Sequence, residues 1–132
     1  MAGGVSINQT GTTANTSTVT QSSSSSGIAV AQSGTAGSNT STISETDGNA
    51  HAANIVQSSG GASNTSSVTQ GGGNGNIAGI YQTANGGVNS SSVGQSGSTN
   101  WAYVTQTAVT GLTNTSTATQ TGTGNAMTIT QC

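Results

Sequence analysis

Polar and aliphatic positions alternate along this chain around a recurrent glutamine. That anchor stands at Gln9, Gln21, Gln32, Gln57, Gln70, Gln82, Gln95, Gln106, Gln120 and Gln131, and Glu45 fills the one missing place in the series. Successive anchors are 11 to 14 residues apart, so residues 1–132 divide into a single array of eleven segments. Two residues before each anchor stand Ile7, Val19, Val30, Ile43, Ile55, Val68, Ile80, Val93, Val104, Ala118 and Ile129. All but Ala118 are β-branched, which suits a strand. Six residues before the anchor, Asn recurs at Asn15, Asn39, Asn64, Asn76, Asn89, Asn100, Asn114 and Asn125. Side chains two apart share one face of a strand. Each segment therefore predicts a strand whose inner face reads Asn, a small residue, Val or Ile, and Gln.

The column four residues before the anchor separates two classes. It reads Val5, Ser17, Ile28, Ser41, Ala53, Ser66, Ala78, Ser91, Ala102, Ser116 and Met127, so apolar segments (class A) alternate with serine segments (class B). The links differ in the same rhythm. Those from A to B hold 5 to 7 residues, those from B to A hold 4 or 5, and both are rich in Gly, Ser and Asn. Two kinds of corner imply a rung made of one A strand and one B strand. A closed antiparallel barrel would explain alternating strands but not a column that repeats at every second one. The expected fold is all-β: a β-solenoid of stacked strand-arc-strand rungs, with two parallel sheets facing across a thin core. Its aliphatic core is expected at Ile7, Val19, Val30, Ile43, Ile55, Val68, Ile80, Val93, Val104 and Ile129, between inward ladders formed by the Asn and Gln columns. Stacked amides can each donate to one neighbour and accept from the other, which satisfies polar groups that the stack buries.

The motif N-x-[S/A]-x-[V/I]-x-Q in strand-arc-strand pairs resembles the curlin repeat of bacterial functional amyloids, and "QGGGNGNIAGIYQ" (70–82) shows the likeness well. It extends from about Val5 to Gln131. Three departures stand out: Asn replaces the Ser that usually opens the first half-repeat, the arcs are slightly longer, and charged residues are nearly absent. Membership would imply a cross-β fold, a homopolymeric filament of this chain, an extracellular place at the cell surface or in a biofilm matrix, and as partners a minor nucleator subunit and a dedicated secretion channel.

Charge narrows the function further. The chain has no Lys or Arg, and its only acids are Glu45 and Asp47. Without a basic patch, nucleic acid is not an expected partner. No apolar run approaches a membrane span, so no membrane insertion is expected. No secretion signal with a basic n-region is present, which suggests a mature secreted form or an engineered chain. Low charge also leaves nothing to repel a second copy, and no Pro or Lys blocks a sheet edge. The leading expectation is thus a structural subunit that self-assembles head to tail into an extracellular amyloid-like fibre. The alternative is an ice-binding β-solenoid that uses outward Thr-x-Thr rows such as Thr16, Thr18 and Thr20.

Reactive groups are few. Catalytic, cofactor and metal sites are all expected to be absent, and with them any enzymatic activity. The glycines of "GGGNGN" (71–76) lack the Lys and Ser/Thr of a phosphate loop and read as a tight arc. Cys132, the one cysteine, has no internal partner; it is an incidental thiol or an intermolecular bridge. "ETDGNAH" (45–51) places Glu45 in a Gln position and His51 in an Asn position at the two ends of one corner. Both are expected to point inward, either paired or merely side by side on a solvated arc. On the outer A face, Val56, Ile77, Tyr81, Trp101 and Tyr103 are candidates for lateral contact between filaments, or else for shielding their own sheet.

Overall fold

The computed structural model describes residues 3–12, 14–22 and 24–132. Among these residues there is no helix. The strands follow as β1 (Gly4–Gly11), β2 (Ala14–Gln21), β3 (Gly27–Thr46), β4 (Ala52–Gly71), β5 (Ile77–Asn85), β6 (Val88–Ser98), β7 (Trp101–Val109), β8 (Thr113–Thr123) and β9 (Ala126–Gln131).

Every ladder between these strands is parallel, and the register keeps the sequence columns intact. On the A side, Ile7 pairs with Val30, Val30 with Ile55, Ile55 with Ile80, Ile80 with Val104 and Val104 with Ile129. On the B side, Val19 pairs with Ile43, Ile43 with Val68, Val68 with Val93 and Val93 with Ala118. A lies on A and B on B, and the molecule is a β-solenoid. A one-residue slip would turn each column outward, so burial of the aliphatic face fixes the register.

The two faces are not separate sheets. β3 and β4 each run unbroken through an A strand, its corner and the following B strand, so the expected strand ends at Gln32 and Gln57 do not interrupt the ladder. Ladder pairing continues through the corner from Ser33↔Ser58 to Ser38↔Ser63, with register shifts between Gly34 and Ala36 and between Ala36 and Gly37. One nine-stranded sheet results, folded over on itself. Glycine carries that bend: Gly37 has φ 89°, and a Cβ there would lie 1.9 Å from the Ala62 carbonyl oxygen of the next rung. The B-to-A corners stay paired between β6 and β8 as far as Ser98↔Thr123, and elsewhere keep isolated parallel bridges, Ser24↔Asn49 and Asn49↔Asn74. They bring non-glycine residues to positive φ, at Ser25, Asp47, Ala50 and Thr99.

The thin core lies between the two faces. Val30, Ile43, Ile55, Val68, Ile80, Val93 and Val104 are buried, and Ile28, Ala53, Ala78, Ala102 and Ala118 complete the cluster. Val19 and Ile129, on outer strands of the stack, are partly buried and pack against it. Ile7 differs from the expectation: it is 46% exposed, because β1 is stacked on one side only, against β3. Ala84 and Ala108 are also fully buried. They extend the inner face two residues beyond Gln82 and Gln106.

Candidate functional site: amide ladders and a buried acidic corner

The glutamines form two rows of hydrogen bonds. On the A side, Gln9 Nε2 donates to Gln32 Oε1 (2.7 Å), Gln32 to Gln57, Gln57 to Gln82 and Gln82 to Gln106 (2.8 Å each), and Gln106 to Gln131 (2.6 Å). Each donor points toward the next rung. The second amide hydrogen crosses the core. Gln32, Gln57, Gln82, Gln106 and Gln131 donate to the carbonyls of Thr16, Thr40, Thr65, Ser90 and Thr115 at 3.0–3.1 Å. The same side chains fasten rung to rung and face to face.

This crossing accounts for the serine column. Gln57, Gln82 and Gln106 Nε2 also reach Ser66, Ser91 and Ser116 Oγ at 3.2–3.3 Å. The glutamine of an A strand faces the serine of its B strand because the chain reverses direction at the corner. On the B side, Gln95 and Gln120 donate to the carbonyls of Ile77 and Trp101 at 3.0 Å. The residues that follow those carbonyls, Ala78 and Ala102, are buried in the apolar core.

The asparagines divide into two groups. On the B side Asn39 Nδ2 donates to Asn15 Oδ1, Asn64 to Asn39 and Asn89 to Asn64 (2.9 Å each), and Asn114 to Asn89 (3.1 Å). These donors point toward earlier rungs, opposite to the glutamines. Each of Asn39, Asn64, Asn89 and Asn114 also ties down the preceding corner, for example Asn64 Nδ2 to the Ser58 carbonyl (2.7 Å). Asn76, Asn100 and Asn125 precede their strands and mainly fasten corners, although Asn125 Nδ2 also donates to Asn100 Oδ1 (3.0 Å). Asn76 Nδ2 donates to the Gly97 carbonyl (2.8 Å), and Asn100 and Asn125 backbone N–H groups donate to Asn76 and Asn100 Oδ1 (3.1 Å each).

Glu45 and His51 are brought to one place, 0% and 1% exposed, while Asp47, Asn49 and Ala50 of the arc between them are exposed. The arc is solvated but its two ends are not. Among the described residues no hydrogen bond or ion pair joins the two side chains. His51 Nε2 lies 2.8 Å from the Asp47 carbonyl oxygen instead. Burial pushes the Glu45 carboxyl above its ordinary range, opposed by hydrogen bonds from Gln21 and Ser26 and by the nearby His51.

The outer A face carries a ledge of rings. Tyr81 and Tyr103 stack with centroids 5.1 Å apart, and Trp101 meets Tyr103 edge-on at 6.1 Å. Tyr103 Oη and Asn54 Nδ2 both donate to Tyr81 Oη at 2.8 Å. The bond with Tyr103, and then burial, push the Tyr81 hydroxyl above its usual range. Tyr103 lies over Gly79, where a Cβ would come within 2.7 Å of the ring. Trp101 and Ile77 are about half exposed, and Val56 is half-buried one rung below Tyr81. On the outer B face the threonine rows are interrupted: Thr65 pairs with Ser90, Thr42 with Ser67 and Thr69 with Gly94. Cys132 is exposed and free.

Among the described residues no group of three or more His, Cys, Asp or Glu is placed to hold a metal ion. Among the described residues no helix is long and apolar enough to cross a membrane. Sequence reasoning missed Ser26, Ala84, Ala108 and the Tyr81–Tyr103–Asn54 cluster. A small residue two places after the A-class anchor (Gly11, Gly34, Ser59, Ala84, Ala108) is the signal that extends the inner face.

A parallel solenoid with amide ladders through its core is a repeat scaffold whose repeated unit is its principal feature. Residues 89–122, about a quarter of the chain, match the family model of the curlin-associated repeat. They span most of β6, all of β7 and most of β8, and the ladders carry the same columns into the other rungs. The comparison with curated proteins returned no match, nor did the comparison with solved structures.

Proposed function

We propose that this chain is a structural subunit that assembles head to tail with copies of itself into an extracellular amyloid-like fibre, of the kind that scaffolds a biofilm matrix and promotes adhesion. The observation that carries this reading is the direction of the glutamine rows. All their donors point along the chain, so a further copy is accommodated on the stack only in the same sense, with its acceptors against those donors. Stacked in that way, a second chain continues the rows at the strand spacing, about 4.8 Å. The near-absence of charge removes the repulsion that would oppose it. By family resemblance, a minor nucleator subunit and a secretion channel are proposed as further partners. No chemical reaction is assigned, since Glu45 and His51 are buried in a corner and the tyrosines lie on an outer face.

Purified chain, incubated and examined by fibre diffraction and electron microscopy, tests the proposal. Unbranched fibres with a meridional reflection near 4.8 Å and a sheet spacing near 10 Å are expected. Discrete monomers that stay in solution at high concentration would sink it.

A further inference from the structure

One place on the B side breaks the glutamine row. Gln21 Nε2 donates to Glu45 Oε2 (3.3 Å). Beyond the break, Gln70 donates to Gln95 (2.7 Å) and Gln95 to Gln120 (2.8 Å). Glu45 and Gln70 are register neighbours, yet Glu45 Oε1 and Gln70 Oε1 both lack a donor, and both residues are 0% exposed. Two acceptors on adjacent rungs are what a carboxylate produces in an amide's place. It accepts from the rung before and has nothing to donate to the rung after.

We infer that Glu45 is a proton-binding site of the stack: the acid form carries its hydrogen on Oε1 and donates it to Gln70 Oε1, closing the row. A protonated carboxyl has the donor and acceptor that the amide at every other anchor supplies. The proton comes from solvent during folding, and no other bond changes.

Burial and the unpaired Gln70 acceptor favour this form, whereas Gln21, Ser26 and His51 favour the carboxylate. β2 presents Gln21 to the carboxyl, the approach to β3 presents Ser26, and β4 presents Gln70. The corner contributes Asp47, which is exposed, and His51, whose Nδ1 has no partner. The chain contains no Lys or Arg that could hold the carboxylate ionised. Burial raises the carboxyl's proton affinity, consistent with the geometry. Since the folded value lies above the unfolded one, the stabilisation is fully present below the unfolded carboxyl range. It is lost as pH rises through the folded value. The site lies within a single chain, so it stands independently of the fibre reading.

Glu45 is the only glutamate, so a chain labelled with carbon-13 at the glutamate carboxyl gives one side-chain signal. Following that signal in the folded protein from about pH 3 to about pH 8 brackets the ordinary carboxyl range. The expected result is a midpoint displaced upward from that of an exposed glutamate, still displaced in His51→Asn. Glu45→Gln, which supplies a permanent donor, should lose the pH dependence of denaturation that this group confers. A midpoint at or below the exposed value would mean that His51 or a bridging water satisfies an ionised Glu45, and overturns the inference. So does a midpoint that returns to the ordinary range in His51→Asn. The wild-type titration decides the question even if Glu45→Gln fails to fold.

Discussion

A glutamine in this core makes several bonds in different directions, so its removal strands several partners at once. Gln82 Nε2 donates to Gln106 Oε1, to the Thr65 carbonyl and to Ser91 Oγ, while its own Oε1 accepts from Gln57. Leucine keeps the volume and none of the bonds. Each buried group left unpaired costs about 1–3 kcal/mol. Gln82→Leu is therefore expected to lose at least about 2 kcal/mol, read as a lower denaturant midpoint for loss of β-structure. Gln131→Leu should lose less, because Gln131 is only partly buried and accepts from Gln106 alone.

At the scale of the strand and its corner, two glycines make opposite predictions. Gly37 turns a corner at φ 89° with a neighbouring carbonyl in the place of its missing Cβ. Gly37→Ala imposes a left-handed backbone on an L-residue and pushes two rungs apart, at a cost of about 1–3 kcal/mol or more. Gly94 lies within β6, in the outward column between Thr69 and Thr119, with open space around an added Cβ. Gly94→Thr restores a strand-favouring residue and should raise the midpoint, by about 0.5–1 kcal/mol. Parallel denaturation curves for the two variants check both signs.

The strands were legible because period-2 alternation and burial specify the same register. Val30, Ile55, Ile80 and Val104 were placed in one column by counting alone, and the ladder puts them there. What counting could not supply was the path at the corners. Ser33–Ser38 and Ser58–Ser63 read as loops because they lack aliphatics, but backbone pairing needs none, and two equal corner lengths let the ladder continue. The contrast between Asn64, which joins a row, and Asn76, which fastens a corner, was hidden for a related reason. Both occupy the same sequence column, and only the backbone path separates them. Glu45 was legible as an exception to the column, whereas its partner across the break, Gln70, conforms to the rule and gave no sign.

For the whole molecule, the two outer faces differ. The A face carries exposed Trp101 and Ile77 beside the stacked tyrosines, and the B face is a wall of Thr and Ser. We propose that the ring ledge with Val56 mediates lateral contact between filaments. Trp101→Ser should then leave the strand-spacing reflection intact while electron micrographs show fewer bundled filaments. Unchanged bundling would assign the rings to shielding their own sheet.

The opposed directions of the amide rows have an electrical consequence. Aligned amide dipoles add, and a long stack with all its side chains pointing one way would build a field along its axis. Here the Gln rows point toward later rungs and the B-side Asn row toward earlier ones, so their dipoles partly cancel. With only two acids and no fixed cation in the chain, little remains for dissolved ions to screen. Stacking of this protein should therefore be nearly indifferent to ionic strength. Elongation rates measured across a tenfold range of salt are expected to stay within about twofold, since screening acts chiefly on net charge.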